Sequence, residues 1–244
     1  FYPNNVLRYI EVGLQKVLVH ESGVYIVALL MLGFFFLLRG EKVDPWLSVA
    51  GAVAFGFSAF FIISLAAGHN AKIRTAAYMA PLVLGVLLTY RGRTALGFFV
   101  AALATGLSIQ SNHFQITYYA LLIVAALAIA VGINWIRNKE WKHLGKVIAI
   151  GISAAILGVA GNALILLTTS EYSKYTMRGG KNLEINGDTV KQAKTTGLDY
   201  DYAFRYSLGK AETAVLAMPD AFGSSSAEPL GEESNVISKL TDRG

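Results

Sequence analysis

The run "GVYIVALLMLGFFFLL" (Gly23–Leu38) decides the fold. It holds no charged residue, it ends on Arg39 and Lys42, and a second apolar run follows at once. A helix of roughly 20 apolar residues crosses the hydrocarbon of a bilayer. Of the 244 residues, 54% are hydrophobic and 15% charged, against about 25% charged in a soluble domain. The solvent for most of this surface is therefore lipid. The net charge of +5 does not point to nucleic acid, because its cations gather in short loops between apolar runs. With no cysteine, disulfides and thiolate metal sites are excluded.

Six runs have spanning character: Gly23–Leu38, Pro45–Ala67, Ala76–Tyr90, Thr94–Ile109, Phe114–Ile136 and Gly145–Leu167. The expected fold is an all-α polytopic membrane protein. Three domains are expected: an outer interfacial segment (1–22), a membrane region of six spans (23–168) and a partly ordered extracytoplasmic segment (169–244). The chain opens on "FYPNN" and closes on "KLTDRG", which reads as an inner piece of a longer protein.

The loops Arg39–Lys42, Tyr90–Arg93 and Arg137–Lys146 hold eight Lys/Arg between them. Cations favour the cytoplasmic side of a bilayer. The loops at His69 and His113, and residues 169–244, then face outward. "NNVLRYIEVGLQKVLVH" (Asn4–His20) places Val6, Ile10, Leu14, Val17 and Leu18 at helical spacing, with Arg8, Glu11, Gln15 and Lys16 between them. It reads as an amphipathic helix on the outer interface. After Thr168 the chain turns polar, with turn signals at "RGGK" and "INGD" and a short helix expected over Ala211–Met218, stopped by Pro219.

Two polar clusters interrupt the apolar runs on the outer side. "AGHNAKIRTAAYMAP" (Ala67–Pro81) holds His69, Asn70, Lys72 and Arg74. Lys72 and Arg74 run against the positive-inside trend and are spaced like an anion clamp, Arg offering a fork and Lys a point charge. "SIQSNHFQITYY" (Ser108–Tyr119) holds Gln110, Asn112, His113 and Gln115, whose amides match sugar hydroxyls as donors and acceptors. The plainer reading is a pair of polar turns, with Gly68 ending a helix and Tyr118 and Tyr119 as interfacial anchors. No cofactor is expected. A divalent cation shared by His69 and His113 is the one alternative, and neither histidine has a carboxylate beside it.

No Asp or Glu lies inside the six runs, which argues against a proton-coupled pump. The outward acids are Glu11, Glu21, Glu171, Asp199, Asp201 and Glu212. "LDYDY" pairs Asp199 and Asp201 with two tyrosines. Glycines such as Gly51, Gly56, Gly97, Gly106, Gly151, Gly158 and Gly161 allow close helix packing.

In "KVDPWLSVAGAVAFGFS" (Lys42–Ser58), "AGHNAKIRTAAYMAPLVLG" (Ala67–Gly85), "SNHFQITYY" (Ser111–Tyr119) and "TSEYSKYTMRG" (Thr169–Gly179), the chain resembles the YfhO-type family of bacterial membrane proteins, in the long form typical of Bacteroidetes. The stretches "LDYDYAFRYSLGKAET" and "FGSSSAEPLGEES" fit as well. Such proteins resemble GT-C glycosyltransferases, which transfer a sugar from a polyprenyl-phosphate carrier outside the cytoplasmic membrane. The resemblance implies an envelope acceptor, a bacterial inner-membrane location and a catalytic acid in a first outer loop, which would precede Phe1. Asp199, Asp201 and Glu171 are the remaining acid candidates. His69, Asn70, Lys72, Arg74, Asn112, His113 and Gln115 are the candidate substrate-binding residues. A transporter or flippase of lipid-linked intermediates would share the anion clamp without needing a base, and a non-enzymatic envelope scaffold would need neither.

The topology has a direct test, helped by the absence of native cysteine. Single cysteines introduced as Gly92→Cys and Glu140→Cys should resist a membrane-impermeant maleimide added to intact cells, and His69→Cys should react. Strong external labelling at position 92 or 140 would invert the orientation.

Overall fold

Apolar runs in lipid fold as helices because the medium offers the backbone no hydrogen-bond partner. A computed structural model of the chain describes residues 5–18, 22–173, 176, 181–186, 189–194, 200, 204–205, 207 and 209–216. Among these, the helices are α1 (Val6–Leu18), α2 (Ser22–Gly40), α3 (Pro45–Gly56), α4 (Ala59–Ala66), α5 (Asn70–Ala77), α6 (Met79–Tyr90), α7 (Thr94–Gln110), α8 (Phe114–Arg137), α9 (Trp141–Ala160) and α10 (Ala163–Ser173).

Among the described residues, four to five helices are long and apolar enough to cross a membrane, against the six runs expected. Four stretches are long and apolar enough to cross a membrane: Gly23–Gly40, Asn70–Tyr90, Phe114–Arg137 and Trp141–Ala160. The pair α3 and α4, bent by 40° at Phe57–Ser58, makes a fifth if it is one span. Helix α7, a shorter apolar helix of 17 residues, stands at the lower limit of the roughly 17–25 residues that cross a bilayer. The third expected span starts earlier than Ala76, because α5 carries the polar stretch from Asn70 into α6 with only a local irregularity at Tyr78. The sixth is interrupted at Gly161–Asn162, between α9 and α10.

Several helix ends share one device. Lys42, Gly68, Gly92, Asn112 and Lys139 all have positive φ, between 60° and 83°. A residue in the left-handed region lets the last amides fold back on the helix carbonyls. Asn112 donates its N–H to Ile109 O in this way. Asp44 starts α3, accepting from the amides of Trp46 and Leu47 ahead of Pro45. This gives the boundary acid a structural role.

The basic loops gather at one end of the bundle. Arg91 hydrogen-bonds Glu41 at 2.7 Å and also reaches the Gly40 carbonyl. His143 Nε2 lies 3.3 Å from the Tyr90 carbonyl oxygen, and Trp135 packs against both rings.

Helix α7 is the spine. Its buried residues are mostly small: Gly97, Ala101, Ala102, Ala104, Thr105, Gly106 and Ser108. Neighbours therefore approach to backbone contact. A Cβ on Gly85 of α6 would sit 2.6 Å from the Ala101 amide nitrogen, and one on Gly158 of α9 would sit 2.8 Å from Thr105 Cβ. With no hydrophobic drive between helices in lipid, such contact and the dispersion it brings supply the association. A second cluster joins Tyr25, Ile26 and Leu30 of α2 to Phe61 of α4 and Ile73, Ala76 and Ala77 of α5. The faces of α8 and α9 bearing Leu121, Ile129, Ile133, Ile148, Ile152 and Ile156 are exposed, which suits contact with an apolar medium.

The chain divides into two compact units, Phe1–Ser170 and Glu171–Gly244. Helix α1 belongs to the first. The second unit departs from the all-α expectation. Strands β1 (Lys181–Asn186) and β2 (Thr189–Lys194) pair antiparallel, with Asn186 opposite Thr189. The "INGD" turn signal marks this hairpin, and six-residue strands flank it. A 3-10 helix, Glu212–Leu216, stands where a longer helix was expected; Pro219 lies outside the described residues.

The close helix contact generates a prediction. Gly158→Ala should destabilise the protein by about 1–3 kcal/mol through overpacking against Thr105. Gly151→Ala, where nothing lies within 4 Å, should be neutral or slightly stabilising. Unfolding in detergent measures both, and equal effects would refute the backbone contact.

Candidate functional site

Helix α1 builds the site by turning its polar side inward. Arg8, Glu11 and Gln15 fall at i, i+3 and i+7, on one helical face. Of the three only Glu11 is buried; Gln15 is half-buried and Arg8 is exposed, where the sequence alone placed all of them toward bulk water. Glu11 is only 6% exposed, and its Oε1 lies 3.2 Å from Arg74 Nη1 on α5. The two are charge-paired without hydrogen-bond geometry, and Arg74 Nε also lacks a partner. The apolar residues of α1 divide: Leu14 and Leu18 pack on the α2–α5 cluster, while Val6 (74%) and Val17 (82%) face outward.

Asn162, at the break between α9 and α10, fastens the start of α1. It accepts from Asn5 Nδ2 at 2.8 Å and donates to the carbonyls of Gly106 and Gly158 at 2.9 and 3.0 Å. Asn162 is only 1% exposed, so an unpaired amide there would cost about 1–3 kcal/mol. Leu7 covers Gly106 and Gly161 beside it.

Two of the cavities hold candidate site residues. The first is polar, about 360 Å³, lined by Asn5, Arg8, Glu11, Val12, Gln15, Arg74, Gln110, Asn112 and Ile165. Three buried atoms of these residues have no hydrogen-bond partner: Arg74 Nε, Glu11 Oε1 and Gln110 Oε1. One donor and two acceptors held out of water are complementary to hydroxyl groups. The second is a groove of about 700 Å³ among α2, α3, α4, α5, α6 and α8. Phe34, Leu37, Phe55, Phe60, Phe61, Met79, Val83, Ile116 and Ile123 line it, with Lys72, His113, Gln115 and Tyr119 as its polar contribution. The Lys72 ammonium lies 5.0 Å from the Phe60 ring centroid. Gln115 Nε2 donates to Tyr119 OH at 2.6 Å, and His113 Nδ1 is buried without a partner.

The two cavities are walled by the same two short segments, and this corrects the expected clamp. Lys72 and Arg74 do not act side by side. Residues two apart on a helix point about 200° apart, so Lys72 enters the groove and Arg74 the polar cavity. The second segment divides likewise: Gln110 and Asn112 line the polar cavity, His113 and Gln115 the groove. A 2.9 Å bond between Ser108 Oγ and Thr117 Oγ1 holds this turn closed. Asn112 also has φ 60°, a conformation that favours asparagine among non-glycine residues.

The remaining candidates stand apart. His69 is the exposed residue ahead of α5 and makes no side-chain cap, and Asn70 is the half-buried first residue of that helix. Neither lines either cavity. Glu171 is exposed near the end of α10, and Asp199 and Asp201 lie outside the described residues. Among the described residues no group of three or more His, Cys, Asp or Glu side chains is placed to hold a metal. Sequence reasoning passed over Arg8, Glu11 and Gln15 as site residues. Their i, i+3, i+7 spacing was visible, but nothing in it said that the face they share lines a cavity with Glu11 buried.

The ion pair generates a prediction. Glu11→Ala alone should destabilise by about 3–5 kcal/mol by leaving Arg74 uncompensated. Adding Arg74→Met should recover part of that loss, giving a coupling of about 0.5–3 kcal/mol in a double-mutant cycle. Strict additivity on unfolding would remove the pair as the link between α1 and α5.

No family model, curated protein or solved structure matches the chain.

Proposed function

We propose that this chain belongs to a YfhO-type, GT-C-like membrane glycosyltransferase. It moves a sugar from a polyprenyl-phosphate carrier to an envelope acceptor on the outer face of the bacterial cytoplasmic membrane. The observation that carries this reading is the pair of cavities with shared walls, one apolar and one polar, on either side of α5.

A lipid-linked sugar has the same division. Its isoprenoid chain fits the groove between α2, α6 and α8. Its phosphate meets Lys72 and His113 at the polar rim, and its sugar passes into the polar cavity, where Arg74, Gln110 and Asn112 bind hydroxyls. Glu11 is the carboxylate in that cavity. The acceptor hydroxyl gives its proton to Glu11 as its oxygen bonds to the anomeric carbon. The bond from that carbon to the phosphate oxygen breaks, and the phosphate leaves with the electron pair. Fixed positive charge at Lys72 stabilises the leaving group without reorganisation. A flippase would need a path to the other side; the packing of Tyr90, Trp135 and His143 at the basic end favours the transferase.

The test uses the purified protein in nanodiscs with polyprenyl-phosphate-linked sugars. Lys72→Ala should weaken carrier binding roughly ten- to hundred-fold, the effect of losing one charge-assisted contact. Glu11→Gln should keep carrier binding and lower transfer by about 10²–10⁴-fold, with an unfolding curve confirming that the fold persists. Full transfer in both variants would sink the proposal.

A further inference from the structure

The charges of the polar cavity do not balance. Three charged side chains line it: Arg8, Glu11 and Arg74. Glu11 neutralises Arg74 at 3.2 Å. Arg8 has no ion pair and no side-chain hydrogen bond among the described residues. It stands one helical turn before Glu11 and is exposed, lining the cavity while also facing the medium. The cavity therefore carries one uncompensated guanidinium beside groups suited to hydroxyls.

We infer that the sugar held in this cavity is acidic, with a carboxylate that pairs with Arg8. This rests on the transferase reading and names its substrate class. A neutral sugar would use Arg74 Nε, Gln110 Oε1 and Glu11 Oε1 and leave Arg8 idle. A planar carboxylate takes the guanidinium fork through two parallel hydrogen bonds, a match that an ammonium cannot supply. The pairing also cancels the excess charge in a space that water leaves when the substrate enters. The shared chemistry is an oxyanion, and phosphate is its other source. The carrier phosphate has its own cation in Lys72, across α5 in the groove, so the carboxylate is the oxyanion left for Arg8.

The experiment titrates the purified protein, in nanodiscs of zwitterionic lipid, with methyl glucuronide, methyl glucoside, inorganic phosphate and polyprenyl phosphate. The glucuronide should bind roughly ten- to hundred-fold tighter than the glucoside, and the difference should shrink as salt is raised. Arg8→Gln should bring the two sugars within about two-fold of each other, well under the tenfold that marks 1.4 kcal/mol. Arg8→Lys should keep part of the preference, and Lys72→Ala should weaken polyprenyl phosphate while leaving the sugar preference intact. Equal affinity for the two sugars, or a preference that survives Arg8→Gln, overturns the inference. Inorganic phosphate competing at Arg8 as well as the glucuronide does so too, by assigning the guanidinium to phosphate. If the glucoside and polyprenyl phosphate bind without any preference for the acid, only this inference fails. If no sugar and no polyprenyl phosphate bind, the transferase reading fails with it.

Discussion

The pairing of Glu11 with Arg74 is the constraint on which the rest of the site depends. A carboxylate only 6% exposed at the edge of an apolar bundle is tolerated when a cation answers it. At 3.2 Å the attraction is on the order of 5 kcal/mol in a medium of effective dielectric 20, before either ion is desolvated, so the net gain is small. Its structural consequence is larger. The pair fixes which side of α1 faces the bundle, and α1 in turn roofs the polar cavity. Asn162 reinforces the choice at the other end of the helix, where its amide bonds both Asn5 and the backbone of α7 and α9.

That choice explains an arrangement that would be costly in water. Helix α1 shows Val6, Tyr9, Ile10 and Val17 to the outside and keeps Glu11, Gln15 and Arg8 for the cavity. A water-facing helix would reverse the two sides, because burying the apolar residues supplies its main driving force. In lipid that force is absent between helices, and satisfying polar groups becomes the stronger requirement. The glycines of α7 and α9 belong to the same logic, since contact at backbone distance replaces hydrophobic collapse. Leu7 can lie over Gly106 and Gly161 only because neither carries a side chain.

The bundle was legible in the sequence because its signal is cumulative. Long apolar runs bounded by Arg and Lys announce helices in lipid whatever their neighbours, and the basic loops do meet at one end through Arg91 and Glu41. Where one helix stops was less legible. The irregularity at Tyr78 and the bend at Phe57–Ser58 carry no breaker strong enough to read, and Asn70–Arg74 looked like a loop because it is polar, although every residue in it is helical. The hairpin over Lys181–Lys194 left a turn signal but too short a strand pattern to commit to pairing. The segments that wall the two cavities, Lys72–Arg74 and Gln110–Gln115, are among those the sequence singles out. Their division between two cavities was not legible, since it follows from helical phase once the polar stretch is known to be helix. Glu11 was hidden for a further reason: an i, i+3, i+7 polar face looks the same whether water or a cavity lies beyond it.

The helical phase of α5 does more than separate two cations. Because Lys72 and Arg74 point about 200° apart, one short helix wall presents a point charge to an apolar groove and a fork to a polar cavity. The turn after α7 repeats the division with Asn112 on one side and His113 on the other. A ligand made of a lipid chain and a polar head is amphiphilic along its length, and to bind it whole a site must change polarity over a few ångströms. A single cavity lined by mixed residues would leave polar groups against the chain or apolar groups against the head, and each mismatch carries a desolvation penalty. Splitting the two environments across a helix avoids both penalties. Lys72 and His113 line the groove side of this division. The short polar helix between two apolar runs, unusual as a loop and costly as a span, is the simplest element that makes this change of medium within three residues.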